Sequence, residues 1–127
     1  MQIAGTHHVA LCTPNFERMR DFYVTTLGMP VLGAFEGYNI VFLDAGTTTI
    51  ELVEELNGQA AEGSWRHLAL EVADTDAAYR ELAAQGIPFH TTPTNFPPAA
   101  PKARIAFFRD PDGNELELFQ PLGSRYP

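Results

Sequence analysis

FFRDPDGNELELFQ, residues 107–120, can be aligned with VFLDAGTTTIELVE, residues 41–54, so that Glu117 falls on Glu51. Each segment runs from a turn into alternating apolar and polar residues, the pattern of a β-strand with two different faces. A single glutamate in such a strand is most simply a solvent-facing residue. Its recurrence at the same place in a second strand needs another explanation.

Two more pairs of segments match in the same order along the chain. His8 begins the apolar run of THHVAL, and His67 begins that of WRHLAL. Gly28 in LGMPV and Gly86 in QGIPF each precede an apolar residue and a proline. The spacing between the members of a pair is nearly the same for the histidines, the glycines and the glutamates, and it drifts only by small insertions. Three matches in one order indicate a tandem duplication.

Each half predicts a strand, a helix and three further strands. The first half has a helix that begins near Pro14 and ends at Gly28, and the second has a helix at 75–85 with Asp74 placed to cap it. The predicted strands are 5–12, 30–35, 38–44 and 47–54, then 65–73, 87–92, 104–109 and 114–120. The sequence therefore predicts an α+β fold of two tandem βαβββ modules that form a mixed curved sheet.

The predicted domain organisation follows from the repeat. Residues 1–127 are expected to form a single domain, with repeat halves 1–56 and 65–127 joined by a linker at 57–64. The segment 92–103 contains many prolines, so it is predicted to be a loop and a candidate lid over a ligand.

Trp65 is predicted to lie in the core.

Composition excludes several classes of function. The formal charge of −8 argues against nucleic acid and anionic membrane surfaces as partners. No apolar run reaches the length of a membrane span. Cys12 is the one cysteine, which excludes an intrachain disulfide and fits a reducing cytoplasm. We therefore expect a cytoplasmic protein.

The repeated polar residues predict a metal site. If the halves pack about a pseudo-twofold axis, His8, Glu51, His67 and Glu117 could converge on one point. Two imidazoles and two carboxylates suit a divalent first-row metal, and the carboxylates would neutralise its charge. The alternative is that the histidines are hydrogen-bonded core residues and the glutamates face outward. His90 is expected to be a solvated or locally hydrogen-bonded imidazole, and Arg109 to pair with an aspartate of the adjacent turn.

The motifs that carry the repeat also resemble a known family. HVAL at 8–11, IELV at 50–53, RHLALEV at 66–72 and DPDGNELEL at 110–118 resemble the vicinal oxygen chelate superfamily. That superfamily includes glyoxalase I, methylmalonyl-CoA epimerase, extradiol dioxygenases, and fosfomycin- and bleomycin-resistance proteins. The resemblance covers essentially the whole chain and implies a glyoxalase-like fold around a metal site.

The ligand set implied by the resemblance is closest to that of glyoxalase I. Position by position, it gives His8, Glu51, His67 and Glu117 as metal ligands. The implied cofactor is a divalent ion (Ni, Zn, Mn, Co or Fe). The implied activity is that of a glyoxalase-I-like lyase or isomerase, in which Glu51 or Glu117 removes a proton from a small vicinal-oxygen substrate and an enediolate forms. Family members usually dimerise, so the resemblance also implies a homodimer.

One position departs from glyoxalase I. An arginine that helps to hold glutathione is common four residues after the first histidine, and this chain has Cys12 there. Glutathione dependence is therefore not expected to carry over with the metal chemistry. The alternatives within the fold are an extradiol-type dioxygenase with Fe(II), a fosfomycin-resistance-type enzyme, and a non-catalytic antibiotic-binding protein of the bleomycin-resistance type.

Overall fold

The computed structural model describes residues 1–26, 28–55, 63–109, 111 and 113–127. The chain divides into two compact units, each drawn mainly from one of the predicted halves. Unit 1 consists of Met1–His7 with His67–Arg125, and unit 2 consists of His8–Arg66 with Tyr126–Pro127. Each unit therefore also contains a short segment from a distant part of the chain.

Unit 2 contains a mixed sheet of four strands. Strand β1 (Gly5–Thr13) contributes its residues from His8 onward, followed by β2 (Val31–Ala34), β3 (Ile40–Asp44) and β4 (Thr49–Glu54). Their order in the sheet is β2-β3-β4-β1. The β1–β4 pair is parallel, and the β2–β3 and β3–β4 pairs are antiparallel.

Helical structure covers one face of this sheet. Helix α1 (Phe16–Asp21) continues into a π-helical turn at Phe22–Thr26. The sheet side chains that face it are apolar and buried: Leu11, Val41, Leu43, Ile50 and Leu52. Because side chains alternate along a strand, the residues between these positions point to the opposite face. That face carries His8, Phe42 and Glu51.

Unit 1 repeats the arrangement. Its strands are β5 (Ser64–Glu71, which enters the unit at His67), β6 (Phe89–Phe96), β7 (Ala103–Arg109) and β8 (Glu115–Pro121), in the order β5-β8-β7-β6. The β5–β8 pair is parallel, and the other pairs are antiparallel. Helix α2 (Thr75–Ala84) lies against a core of Val72, Ala78, Ala106, Phe108 and Leu118.

Aspartates at and near the start of α2 make polar contacts there. The Asp74 carboxylate accepts a hydrogen bond from the backbone N–H of Ala77 at 3.0 Å, which confirms the predicted cap. In the first turn of the helix, Asp76 accepts two hydrogen bonds of 2.9 Å from the Arg104 guanidinium. These hydrogen bonds are the main cause that lowers the pKa of Asp76 below its ordinary value, and the Arg104 charge acts in the same direction.

The predicted α+β class with two βαβββ modules is confirmed, and three local predictions need correction or qualification. Strand β6 extends to Phe96, because proline is tolerated in an edge strand, so the predicted loop 92–103 shortens to 97–102. Trp65 is 55% exposed and is not a core residue. The predicted linker 57–64 lies outside the described residues except for Gly63 and for Ser64, which begins β5.

None of the described helices is long and apolar enough to cross a membrane.

Candidate functional site

The face of the unit 2 sheet opposite its helix carries a buried imidazole–carboxylate pair. Ala10 of β1 is the register partner of Glu51 on β4, and His8 precedes Ala10 by two positions on the same face. His8 Nε2 lies 3.5 Å from Glu51 Oε1. His8 is fully buried, and Glu51 is only 7% exposed. The parallel pairing of β1 with β4 therefore brings together two residues that are far apart in the sequence.

Unit 1 contains an equivalent pair. Ala69 of β5 is the register partner of Glu117 on β8, and His67 precedes Ala69 by two positions. His67 Nε2 lies 3.2 Å from Glu117 Oε1. Glu117 is 4% exposed, whereas the His67 residue is half-buried. The alternative of outward-facing glutamates is therefore wrong for both carboxylates.

An aromatic ring stands beside each pair in matching geometry. Phe42 lies opposite Glu51 in the β3–β4 register, and its ring meets that of His8 edge-on, at 5.3 Å between centroids and 80° between planes. Phe107 lies opposite Glu117, and its ring meets that of His67 at 5.4 Å and 80°. Edge-to-face contact is a preferred arrangement of aromatic rings, so each phenylalanine favours the observed orientation of the imidazole beside it.

The donor chemistry of the pairs fits a divalent metal ion. Two atoms that each bind one ion at about 2.1 Å lie about 3.0–3.5 Å apart, depending on the angle between the bonds. The nitrogen–oxygen separations of 3.5 Å in unit 2 and 3.2 Å in unit 1 match that spacing. A buried carboxylate is also costly unless positive charge or hydrogen bonds compensate it. Imidazole nitrogen and carboxylate oxygen are suitable ligands for first-row metals.

Further polar residues flank each pair, and the sequence analysis did not identify them as a set. Thr49, two positions before Glu51, shares a 2.6 Å hydrogen bond with the hydroxyl of Tyr126. Glu115, two positions before Glu117, pairs with His90. Thr49 and Glu115 therefore occupy equivalent places in the two halves, so the repeat itself contained this signal.

The other predicted polar residues of unit 1 have the following surroundings. His90 bonds Glu115 and stacks on the Phe107 ring at 6.0 Å, so its expected local hydrogen bond is present. Arg109 Nε lies 3.4 Å from the second carboxylate oxygen of Glu115. The aspartates of the adjacent turn, at 110 and 112, lie outside the described residues.

Cys12 follows the same face of β1 as His8. Burial raises the pKa of its thiol, and the nearby Arg66 only partly opposes that effect. The Arg66 guanidinium donates a 2.8 Å hydrogen bond to Glu55, so its charge is already compensated. This corner of unit 2 therefore holds a thiol whose pKa is raised and an arginine whose charge is paired with Glu55, and neither favours binding of an anion.

Sequence comparison places the chain among proteins of known fold. The sequence model of the Glyoxalase/Bleomycin resistance protein/Dioxygenase superfamily matches residues 5–118. The uncharacterized protein YwkD of Bacillus subtilis is 32% identical, over 94% of this chain and 99% of that protein. The lactoylglutathione lyase of Escherichia coli O157:H7 is 29% identical, over 89% of this chain and 90% of that protein.

A solved structure agrees on the fold. The crystal structure of methylmalonyl-CoA epimerase from Mycobacterium tuberculosis superposes with a TM-score of 0.77, at 24% identity, over 94% of this chain and 89% of that one. The family sequence model extends over both units, including each of their His/Glu pairs. The chain belongs to the Glyoxalase/Bleomycin resistance protein/Dioxygenase superfamily, as the resemblance in its motifs indicated.

Proposed function

We propose that the protein is a divalent-metal-dependent lyase or isomerase of the glyoxalase I type. Its substrate would be a small molecule with two adjacent oxygen atoms. The proposed metal ligands are His8, Glu51, His67 and Glu117. The ion would be Ni, Zn, Mn, Co or Fe.

The observation that carries this proposal is the duplicated His/Glu pair. Each pair sits on parallel strands at the same register, with spacings of 3.5 Å and 3.2 Å, and each has an aromatic ring edge-on to its histidine. The repetition of the pair together with its aromatic neighbour supports a shared role for the four residues. Family membership supports the same conclusion, because a lactoylglutathione lyase is among the relatives.

Each residue of the set has a distinct task in the proposed reaction. A divalent ion held by these four residues would supply Lewis-acid chemistry to an oxygen of the substrate, next to the carbon whose C–H bond is broken. The imidazoles of His8 and His67 would bind the ion through a ring nitrogen, and each has a phenylalanine ring edge-on to it. The carboxylate of Glu51 or Glu117 removes the proton from that carbon and returns it to the adjacent one, as a general base and then a general acid.

The surroundings of Cys12 narrow the proposed substrate class. A tripeptide thiol such as glutathione carries two carboxylates. Arg66, the nearby cation, is already hydrogen-bonded to Glu55, so it offers these carboxylates little attraction. We therefore propose a substrate with vicinal oxygens that does not depend on glutathione. A cytoplasmic location and a homodimeric state complete the proposal, the latter to be checked by light scattering of the eluted protein.

Metal content of the purified protein tests the proposal directly. We expect near-stoichiometric metal in the wild-type protein and a large loss in Glu51→Gln and Glu117→Gln, because each substitution removes an anionic ligand without changing the shape of the residue. Glu54→Gln is the matched control, since Glu54 lies on the same strand as Glu51 and bonds the exposed Asn39 at 3.0 Å.

The outcomes separate the proposed function from its alternatives. Retention of metal by all three variants, or no metal in the wild-type protein after reconstitution, would contradict the proposal. In the second case, a ligand-induced rise in melting temperature without turnover would favour the antibiotic-binding alternative. Oxygen consumption with a catechol by the Fe(II) form would instead favour the dioxygenase. Loss of an epoxide antibiotic would favour the fosfomycin-resistance type.

A further inference from the structure

The residues that follow Arg125 are fastened onto the sheet of unit 2. The Tyr126 hydroxyl shares its 2.6 Å hydrogen bond with Thr49 on β4, and the Tyr126 ring lies 5.5 Å from that of Phe42 on β3. The carbonyl oxygen of Pro127 accepts a 2.9 Å hydrogen bond from the backbone N–H of Ala34 on β2. Tyr126 and Pro127 together therefore contact three successive strands.

The place where Tyr126 lies is next to the proposed metal ligands of unit 2. The Phe42 ring contacts His8 as well as Tyr126, and Phe42 lies opposite Glu51 in the strand register. Thr49 is buried, at 6% exposure, and points to the same face as Glu51. Tyr126 thus contacts Phe42, which lies against His8, and Thr49, which lies near Glu51 on the same face of β4.

A glycine on β2 makes room for these two residues. A β-carbon added at Gly33 would overlap the Pro127 carbonyl oxygen and would lie 3.1 Å from the Tyr126 β-carbon. The first of these contacts is with backbone, which cannot rotate away as a side chain can. Any larger residue at position 33 therefore has to displace residues 126 and 127 or distort the strand.

The equivalent place in unit 1 is filled differently. In the β6–β7 pair, Phe89 faces Phe108 and Thr91 faces Phe107, so His90 is an extra, bulged residue. The ring of this bulged residue stacks on that of Phe107. The β2–β3 pair also has a bulge, between Val31 and Gly33, but there the ring beside the phenylalanine comes from Tyr126.

We infer that Tyr126 is a positioning residue of the His8–Glu51 pair and that Gly33 is required to admit it. The tyrosine ring fixes the Phe42 ring, and the Phe42 ring fixes the His8 imidazole. Its effect on metal binding rests on the proposed function, whereas its effect on the orientation of His8 does not.

The orientation of His8 can be tested in the metal-free protein. Imidazole carbon-bound protons report nearby aromatic rings through ring-current shifts in NMR spectra. We expect Tyr126→Ala to move the His8 signals and to leave those of His67, whose neighbour is Phe107, in place. Tyr126→Phe keeps the ring and loses only the hydroxyl, so it should restore most of the wild-type His8 shift. An unmoved His8 signal in Tyr126→Ala would overturn the inference.

Cobalt affinity measures the consequence for the metal. Residues that orient a ligand typically change metal affinity by about 10–100-fold when they are removed. We expect Tyr126→Ala to weaken Co²⁺ binding by about tenfold, at the lower end of that range, and Tyr126→Phe to weaken it far less. If wild-type protein binds no Co²⁺, the proposed function fails, and the imidazole shifts still decide whether Tyr126 positions His8.

A double-mutant cycle tests the role of Gly33. Gly33→Ala should reproduce the His8 shift of Tyr126→Ala in the full chain. In a chain that ends at Arg125, the same substitution should have no further effect, because the atoms that it displaces are absent. An effect of Gly33→Ala that is equal in both backgrounds would show that position 33 acts through the strand, and the assigned role of Gly33 would be wrong.

Discussion

In unit 1 the ring that stacks on Phe107 comes from the neighbouring strand, whereas in unit 2 the ring beside Phe42 comes from residue 126. The His/Glu pairs and their edge-on phenylalanines otherwise match closely: the nitrogen–oxygen distances are 3.5 Å and 3.2 Å, and the ring-centroid distances are 5.3 Å and 5.4 Å. The duplicated parts are the proposed ligands and the strands that carry them. The parts that differ surround the proposed ligands. Unit 1 has the imidazole–carboxylate pair of His90 and Glu115 there, and unit 2 has the two hydroxyl groups of Tyr126 and Thr49.

The two phenylalanines offer the largest test of how closely the units correspond. Phe42 is fully buried, whereas Phe107 is half-buried. Phe42→Ala should lower the free energy of unfolding by about 3–5 kcal/mol, because it leaves a cavity in a closed environment. Phe107→Ala should cost about half as much. Urea denaturation in the presence of a chelator measures packing without any contribution from metal.

Equal costs for the two substitutions would contradict this expectation. Such a result would mean that the greater burial of Phe42 is not reflected in its contribution to stability.

The helix starts offer a test of intermediate size. Asp74 accepts a hydrogen bond from the first turn of α2, but the side chain of Asn15, at the start of α1, makes no capping hydrogen bond among the described residues. Asp74→Ala should therefore destabilise the protein by about 1 kcal/mol. Asn15→Ala should change the free energy of unfolding by only a few tenths of that. Thermal or chemical denaturation of both variants measures these changes. A larger destabilisation by Asn15→Ala than by Asp74→Ala would contradict the expectation.

The smallest expected effect concerns the ion pair between Asp76 and Arg104 in unit 1. The pKa of Asp76 is lowered mainly by the hydrogen bonds from Arg104. A lowered folded-state pKa means that this contact stabilises the fold above the ordinary aspartate value of about 3.9 and is lost as the pH falls through the lowered value. Asp76→Asn should reduce Tm by about 1–3 °C at pH 7, since partly exposed pairs contribute little.

The pH dependence provides the control for that measurement. The difference in Tm between Asp76→Asn and the wild-type protein should shrink as the pH is lowered below about 4. A difference that persists unchanged at low pH would show that the substitution acts through helix packing and not through the charge of Asp76.

The repeat determined which parts of the molecule could be predicted from the sequence. His8 and Glu51 could be proposed as ligands because each has a counterpart in the second half, and because strand periodicity places them on one face. Tyr126 has no counterpart in the repeat, and its hydrogen-bond partner Thr49 lies 77 residues away. No local pattern encodes a contact of that separation, so it becomes visible only in the folded chain.

Two wrong predictions have similarly local causes. Trp65 was expected in the core from its aromatic character, but it lies in the exposed first part of β5, among Ser64 and Arg66. Strand β6 was predicted to stop at 92 because proline follows. However, β6 has a described strand, β7, on one side only, and Pro93 needs no backbone N–H on the other side. In both cases the outcome depended on where the residue lies in the sheet, and the identity of a residue does not specify that place.

Each unit contains a segment from the far end of the chain, and this limits where the protein could be cut into two fragments. The N-terminal residues belong to unit 1, where the backbone N–H of Ala4 bonds the carbonyl of Glu71 at 3.0 Å and Arg125 bonds the carbonyl of Thr6 at 3.2 Å. Tyr126 and Pro127 belong to unit 2. A cut between the repeats would therefore separate each unit from one of its own segments.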